Sequence, residues 1–198
     1  MGFGPLFVGF AFLFDFQLGL RHPGEETAYA MLDIFPDVIG WLLIFWGLAR
    51  LAKKAEEFAF LRNSALFFLV LSLFTLAKDT VFFSAFYTEN VQCFAGEAVD
   101  FCVHLLELGF IALLARRCAA LCRKKGEDKI ALSHAALPGI ALCEGILFAI
   151  ARSSRFLSLP AGALSVVRVV SMLDYVFLVF LVWFGAIALF RTMLRVTE

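Results

Sequence analysis

Charge, cysteine, proline and histidine are all scarce in this chain of 198 residues. Only 17% of the residues are charged, and 17 Lys+Arg balance 17 Asp+Glu, so there is no net basic field for nucleic acid. Five cysteines without a C-x-x-C pair do not make a secreted disulfide scaffold. G-x-S-x-G, H-E-x-x-H and the P-loop are missing, which removes the usual signatures of serine, zinc and nucleotide hydrolases. Apolar residues fill the space: 62% of the chain, 25 of them Phe, with a mean hydropathy of +0.90. Soluble domains hold about 45–50% apolar residues, so disorder and a coiled coil are excluded and a lipid environment is expected.

A helix needs about 20 residues to cross roughly 30 Å of hydrocarbon. Six segments qualify, at 2–20, 28–51, 60–86, 96–115, 130–151 and 161–190. Period-2 alternation is missing and the connections are short, so the expected fold is all-α, a polytopic integral membrane bundle of six transmembrane helices in a single domain, 1–198. The first segment has neither a basic leader nor a small-residue cleavage site, and is read as a helix rather than a signal peptide. Twelve of the 17 Lys+Arg fall on one side: Arg50, Lys53, Lys54, Arg62, Arg116, Arg117, Arg123, Lys124, Lys125, Lys129, Arg191 and Arg195. That bias predicts cytoplasmic termini, with outer turns near Pro23, Val91 and Leu157. Residues 116–129 read as a basic inner loop near anionic lipid. In the fifth segment, small residues recur every four positions at Ala131, Ala135, Gly139 and Cys143, and again at Ala141, Gly145 and Ala149. Both rows are expected to admit close helix neighbours, with a kink at Pro138.

Ionisable groups interrupt these apolar segments. They are Asp15, Asp33, Asp37, Lys78, Asp79, Asp100, His104, Glu107, Glu144, Arg168 and Asp174. A charge at the bilayer centre costs about 2.5–3.5 kcal/mol, so eleven facing lipid would cost on the order of 25–40 kcal/mol. They are expected to face inward, pair with one another or line water. Most fall in the outer half or near the midplane, whereas 38–49, 63–77 and 175–190 carry no charge. The pattern predicts an outward polar pocket above an apolar inner plug. Asp100, Arg152 and Arg155 also suit ordinary helix ends, and Asp37 beside Pro36 suits a helix first turn.

Glu97, Asp100, His104 and Glu107 are spaced three, four and three apart, so they form one stripe on the fourth helix. Such a stripe suits a metal ion, a proton relay or a cationic ligand, and a metal would need ligands from a second helix. Lys78, level with His104, argues against a strong metal site and offers a salt bridge to Glu107 or Asp100 instead. No other cofactor is implied. Eight embedded carboxylates against Lys78 and Arg168 favour protons, metal ions or organic cations, while Arg168 keeps an amphoteric solute open. The cysteines read as small buried hydrophobes.

Phe14-Asp15-Phe16 and Asp33-Ile34-Phe35-Pro36-Asp37-Val38-Ile39-Gly40-Trp41 resemble a group of small bacterial multi-spanning membrane proteins. That group carries an F-D-F first span and a D-x-x-P-D-x-I-G-aromatic start to the second. The resemblance covers about the first quarter of the chain, implies a bacterial plasma membrane, and marks Asp15, Asp33, Pro36, Asp37 and Gly40 as matching positions. It implies no activity. In architecture alone, six helices with an outward pocket also look like the substrate-capture subunits of energy-coupling-factor vitamin transporters.

The expected function is transport or solute binding in the bilayer, through an acidic pocket for a cation, a proton or a small polar solute. A partner membrane subunit or a second copy would fit the apolar inner half, and nucleic acid is not an expected partner. The alternatives are a ligand-free assembly factor, in which the charges lock helices together, and a metal-dependent membrane enzyme.

Overall fold

The computed structural model describes residues 2–12, 17–20, 30–33, 37–79, 89–153 and 161–196. Over 17–20, 30–33, 74–79, 89–100 and 152–153, and at 161, 162, 164, 165 and 168, the description is of the backbone only. Apart from one short ladder, every described element is helical. The helices are α1 (Phe3–Phe12), α2 (Asp37–Ala52), α3 (Ala59–Asp79), α4 (Glu89–Lys124), α5 (Asp128–Ser153) and α6 (Ala161–Val196). A single 3₁₀ turn, Glu56–Phe58, leads into α3. The chain divides into two compact units, Met1–Leu76 and Ala77–Glu198.

In the first unit the expected helices at 2–20 and 28–51 are both shorter than their apolar runs. Helix α1 ends at Phe12, and β1 (Gln17–Leu20) pairs antiparallel with β2 (Ala30–Asp33), Gln17 opposite Asp33 and Leu20 opposite Ala30. Gly19 weakens a helix by about 1 kcal/mol relative to Ala, and a proline at 36 disfavours a helix that begins before it. Helix α2 therefore starts only at Asp37, whose carboxylate suits the positive end of the helix dipole. Ten residues of α1 reach about 15 Å, half of a bilayer core.

The core of this unit is backbone-close. Phe3, Leu6 and Phe10 of α1 are buried, as are Trp41, Ile44, Leu48 and Leu51 of α2 and Leu61, Ala65 and Phe68 of α3. The Trp41 and Phe68 rings stack with centroids 4.5 Å apart. Helices α1 and α2 touch where both carry glycine, at Gly2 and Gly9 against Gly47 and Gly40.

In the second unit α5 packs against both α4 and α6. Residues 116–129, expected as a loop, are mostly helix. Arg and Lys are good helix formers, and α4 runs on to Lys124. The turn is closed by Gly126 at φ 77°, with Glu127 N–H bonded to the Cys122 carbonyl (2.9 Å) and Gly126 N–H to that of Arg123 (3.0 Å). This paired pattern ends a helix on a left-handed residue, the conformation that glycine adopts without a Cβ clash.

Each helix of this unit buries a stripe spaced three and four apart. On α4 it is His104, Leu108, Ile111, Ala115, Cys118 and Cys122, with His104 half-buried. On α5 it runs His134, Leu137, Ala141, Glu144 and half-buried Phe148, and on α6 it runs from Asp174 through Leu178, Leu181, Gly185 and Ala188 to Thr192. The row Ala135, Gly139 and Cys143 is exposed instead, which corrects its expected role; only Ala131 of that row is buried. Gly145 of the other row faces α4, where an added Cβ would lie 3.1 Å from Leu108. Helix α5 continues through Pro138.

Among the described residues two helices, spanning Asp128–Ala151 and Val169–Val196, are long and apolar enough to cross a membrane. Their outward faces are greasy: Leu132, Leu142, Met172 and Trp183 are each at least 65% exposed. A core helix of a soluble domain buries such side chains, so this exposure fits contact with lipid rather than water.

Candidate functional site

Polar groups lie on the three inward stripes of the second unit only near their two ends. The first cluster joins α4 to α5. His104 Nε2 lies 2.7 Å from Glu144 Oε1, a charge-assisted geometry between residues forty positions apart. Glu144 is wholly buried, and its second oxygen, Oε2, has no hydrogen-bond partner among the described residues. A bare carboxylate oxygen in a low-dielectric interior is costly, which marks the position as one where a proton or a cation would be welcomed. Glu107 from α4 and Asp174 from α6 lie within electrostatic reach of the same imidazole.

Aromatic rings form the wall. Phe148 lies on His104 with ring centroids 4.1 Å apart and 41° between planes, and Phe101 stacks on Phe148 at 5.6 Å. The His104 side chain is 19% exposed against 1% for Glu144, so an ion approaching the couple meets the imidazole first. An open apolar groove of about 430 Å³ lies beside this cluster, lined by Leu105, Leu108, Gly109, Pro138, Leu142 and Ile146 among others. Neither His104 nor Glu144 lines it.

Four of the eleven expected site residues are thus brought together: His104, Glu107, Glu144 and Asp174. Asp33 lies in the β ladder, and Asp37 is exposed on the first turn of α2. Asp15 lies outside the described residues, as do the side chains of Lys78, Asp79, Glu97, Asp100 and Arg168, whose backbones belong to α3, α4 and α6. Among the described residues no group of three or more His, Cys, Asp or Glu is placed to hold a metal ion. Cys102 is a free, exposed thiol.

The second cluster was not among the expected site residues. His134 of α5 and Thr192 of α6 are both buried, with His134 Nε2 2.7 Å from Thr192 Oγ1. The hydroxyl donates to the Ala188 carbonyl at 2.9 Å, and buried Cys122 of α4 lies 3.8 Å from the same oxygen. Burial pushes the Cys118 and Cys122 thiols up, so both stay protonated and unreactive while the packing is closed. The side chains of this cluster lie at the basic end of the second unit, outside the uncharged stretch 175–190. The clusters are separated by ten residues on α5 and eighteen on α4 and α6, roughly 15 to 27 Å along the helices. Thr192→Val keeps the shape and strips the hydroxyl. It is expected to destabilise the protein by about 1–3 kcal/mol in reversible unfolding, because a buried imidazole N–H loses its acceptor.

Comparison with family models, curated proteins and solved structures returns no match. The functional reading therefore stands on the residues alone.

Proposed function

We propose that the chain is a polytopic plasma-membrane protein of bacterial type that binds a cation or a proton, and carries it or hands it on, through the His104–Glu144 couple. The observation that carries this reading is a wholly buried glutamate holding one histidine, one bare oxygen, and two further acids near that histidine. A group placed merely to tie helices together is best served by saturating both oxygens. Surplus acid excludes anions and gives a positive ion its place.

The apolar segments supply the bilayer setting, the first entering as a half-length helix. Arg116, Arg117, Arg123, Lys124, Lys125, Lys129, Arg191 and Arg195 are all exposed where α4 and α6 end and α5 begins, so this end is assigned to the cytoplasm. The His104 cluster then faces outward. A small polar or amphoteric solute, a partner subunit and a homo-oligomer all remain compatible with this arrangement.

The test is a thermal-shift series on the purified protein against monovalent, divalent and organic cations at several pH values, followed by proton flux in liposomes. Glu144→Gln keeps the volume and removes the charge. It is expected to abolish any cation-dependent shift and the flux while moving the basal Tm by only a few degrees. A wild-type protein blind to every cation, without flux, would instead support the assembly role. Retained binding in the amide variant would transfer the site to other residues.

A further inference from the structure

The hydrogen bonds around His134 fix its chemical state. Thr192 has one hydroxyl proton, and the Ala188 carbonyl takes it. With that proton on the carbonyl the Thr192 oxygen accepts from His134 Nε2–H, and the buried Nδ1, with no acceptor among the described residues, selects the neutral imidazole over the imidazolium. Its Nδ1 then presents a bare lone pair, buried, with no hydrogen-bond partner among the described residues. Among the described residues the groups packed around it are neutral: the Cys122 thiol from α4, with Cys118 one turn away, and the Thr192 hydroxyl and Ala188 carbonyl from α6. Among the described residues no carboxylate hydrogen-bonds it; the charges nearest in sequence are the exposed cations Lys129, Arg191 and Arg195, beside exposed Asp128 and half-buried Glu127, whose field reaches Cys122.

We infer that His134 Nδ1 is a second proton-binding site, and that its occupation releases α6 from α5 at the basic end of the second unit. A proton arriving from water forms an Nδ1–H bond, breaks no other bond, and leaves an imidazolium of charge +1. That cation needs an acceptor at Nδ1, and the closed packing supplies none among the described residues. Helix α6 must move away to admit water, carrying Thr192 with it, and the same movement uncovers Cys118 and Cys122. The surrounding belt of exposed Arg and Lys opposes the new charge further and favours the open form once the proton is on. Acid on this side thus opens what neutral solution keeps shut. The inference does not depend on the His104–Glu144 reading, because its readout is helix opening rather than binding or transport.

Thiol access measures the opening. Cys93, Cys102 and Cys143 are replaced by Ala in the full chain, leaving Cys118 and Cys122, both fully buried. Their labelling by 4,4′-dithiodipyridine is followed across mildly acid to neutral pH and divided by the rate of a free thiol at each pH. Opening coupled to one proton predicts a rate that climbs toward the acid side by up to about tenfold per pH unit. His134→Gln donates to Thr192 through its amide but accepts no proton there, and its profile is expected to be flat. A flat wild-type profile, or an equal climb in His134→Gln, overturns the inference. If that variant does not fold, ring ¹⁵N-labelled wild type decides: Nδ1 must be unprotonated at neutral pH and gain its proton in step with labelling. Protonation without labelling, or labelling without protonation, rejects the link.

Discussion

Gly47→Ala is expected to destabilise the first unit by about 2–3 kcal/mol, although alanine is the better helix former by roughly 1 kcal/mol. A Cβ at position 47 would lie 2.6 Å from the Gly2 carbonyl oxygen and 2.9 Å from Leu6 Cγ. The nearer of these is backbone, so no rotamer change relieves it and α1 must back away from α2. The same holds from the other side, where a Cβ on Gly9 would lie 2.7 Å from the Gly40 carbonyl and 2.9 Å from the Ile44 amide. Separation would loosen Leu6 and Phe10 against Ile44 and Leu48, the side chains this pair buries most completely. Gly109→Ala is the matched control, because nothing lies within 4 Å of its added Cβ. There the helix propensity acts alone, and a gain of about 0.5–1 kcal/mol is expected. Opposite signs for one chemical change, read by reversible unfolding of the two variants, check the packing of both units. Equal signs would mean that α1 and α2 do not approach as described.

The same glycines show what a sequence can and cannot say. Long apolar runs in the second half leave helix as the only economical backbone solution, and α4, α5 and α6 lie where those runs are. The run at 2–20 is no less apolar, yet β1 occupies its last four residues, Gln-Leu-Gly-Leu, whose two leucines alternate and fit a strand as well as a helix turn. Depth within a segment marks Lys78, His104, Glu107, Glu144 and Asp174; of these His104 and Glu144 are hydrogen-bonded, Glu107 and Asp174 lie within electrostatic reach of the imidazole, and the Lys78 side chain lies outside the described residues. Which face of α5 points inward was not legible from small residues, because both four-residue rows offer close approach and only burial chooses between them. Burial follows the alternating three-and-four spacing from His134 to Glu144, and that spacing was present in the sequence. His134 stands among Ala, Ser and Leu with no acid three or four positions away, whereas His104 shares its stripe with Glu97, Asp100 and Glu107. The partner of His134, Thr192, carries no charge either. The basic stretch after Ala115 reads as a loop when charge alone is weighed, whereas its Arg, Lys, Ala and Leu content favours helix until Gly126 stops it.

Removing His104 should be far more damaging than removing both members of its pair. His104→Leu leaves the Glu144 carboxyl buried with neither oxygen satisfied, and breaking a buried pair in this way costs about 3–5 kcal/mol. Glu144→Leu alone leaves a partly exposed imidazole, which water can satisfy, so a smaller loss is expected. The double variant His104→Leu with Glu144→Leu replaces the couple by apolar groups of similar bulk beside Leu108 and Phe148. Its stability is expected to return to within about 1 kcal/mol of the starting protein, or to exceed it, as apolar replacements of buried ion pairs do. Unfolding measurements on the four proteins give the coupling energy between the two side chains directly. The double variant also separates the two roles a buried couple can play. If the pair exists to hold α4 on α5, packed leucines serve as well and nothing else changes. If it exists to receive a positive ion, the restored fold comes back without cation-dependent stabilisation or flux. Stability regained and binding lost, in one folded protein, is the outcome that a purely structural pair cannot produce.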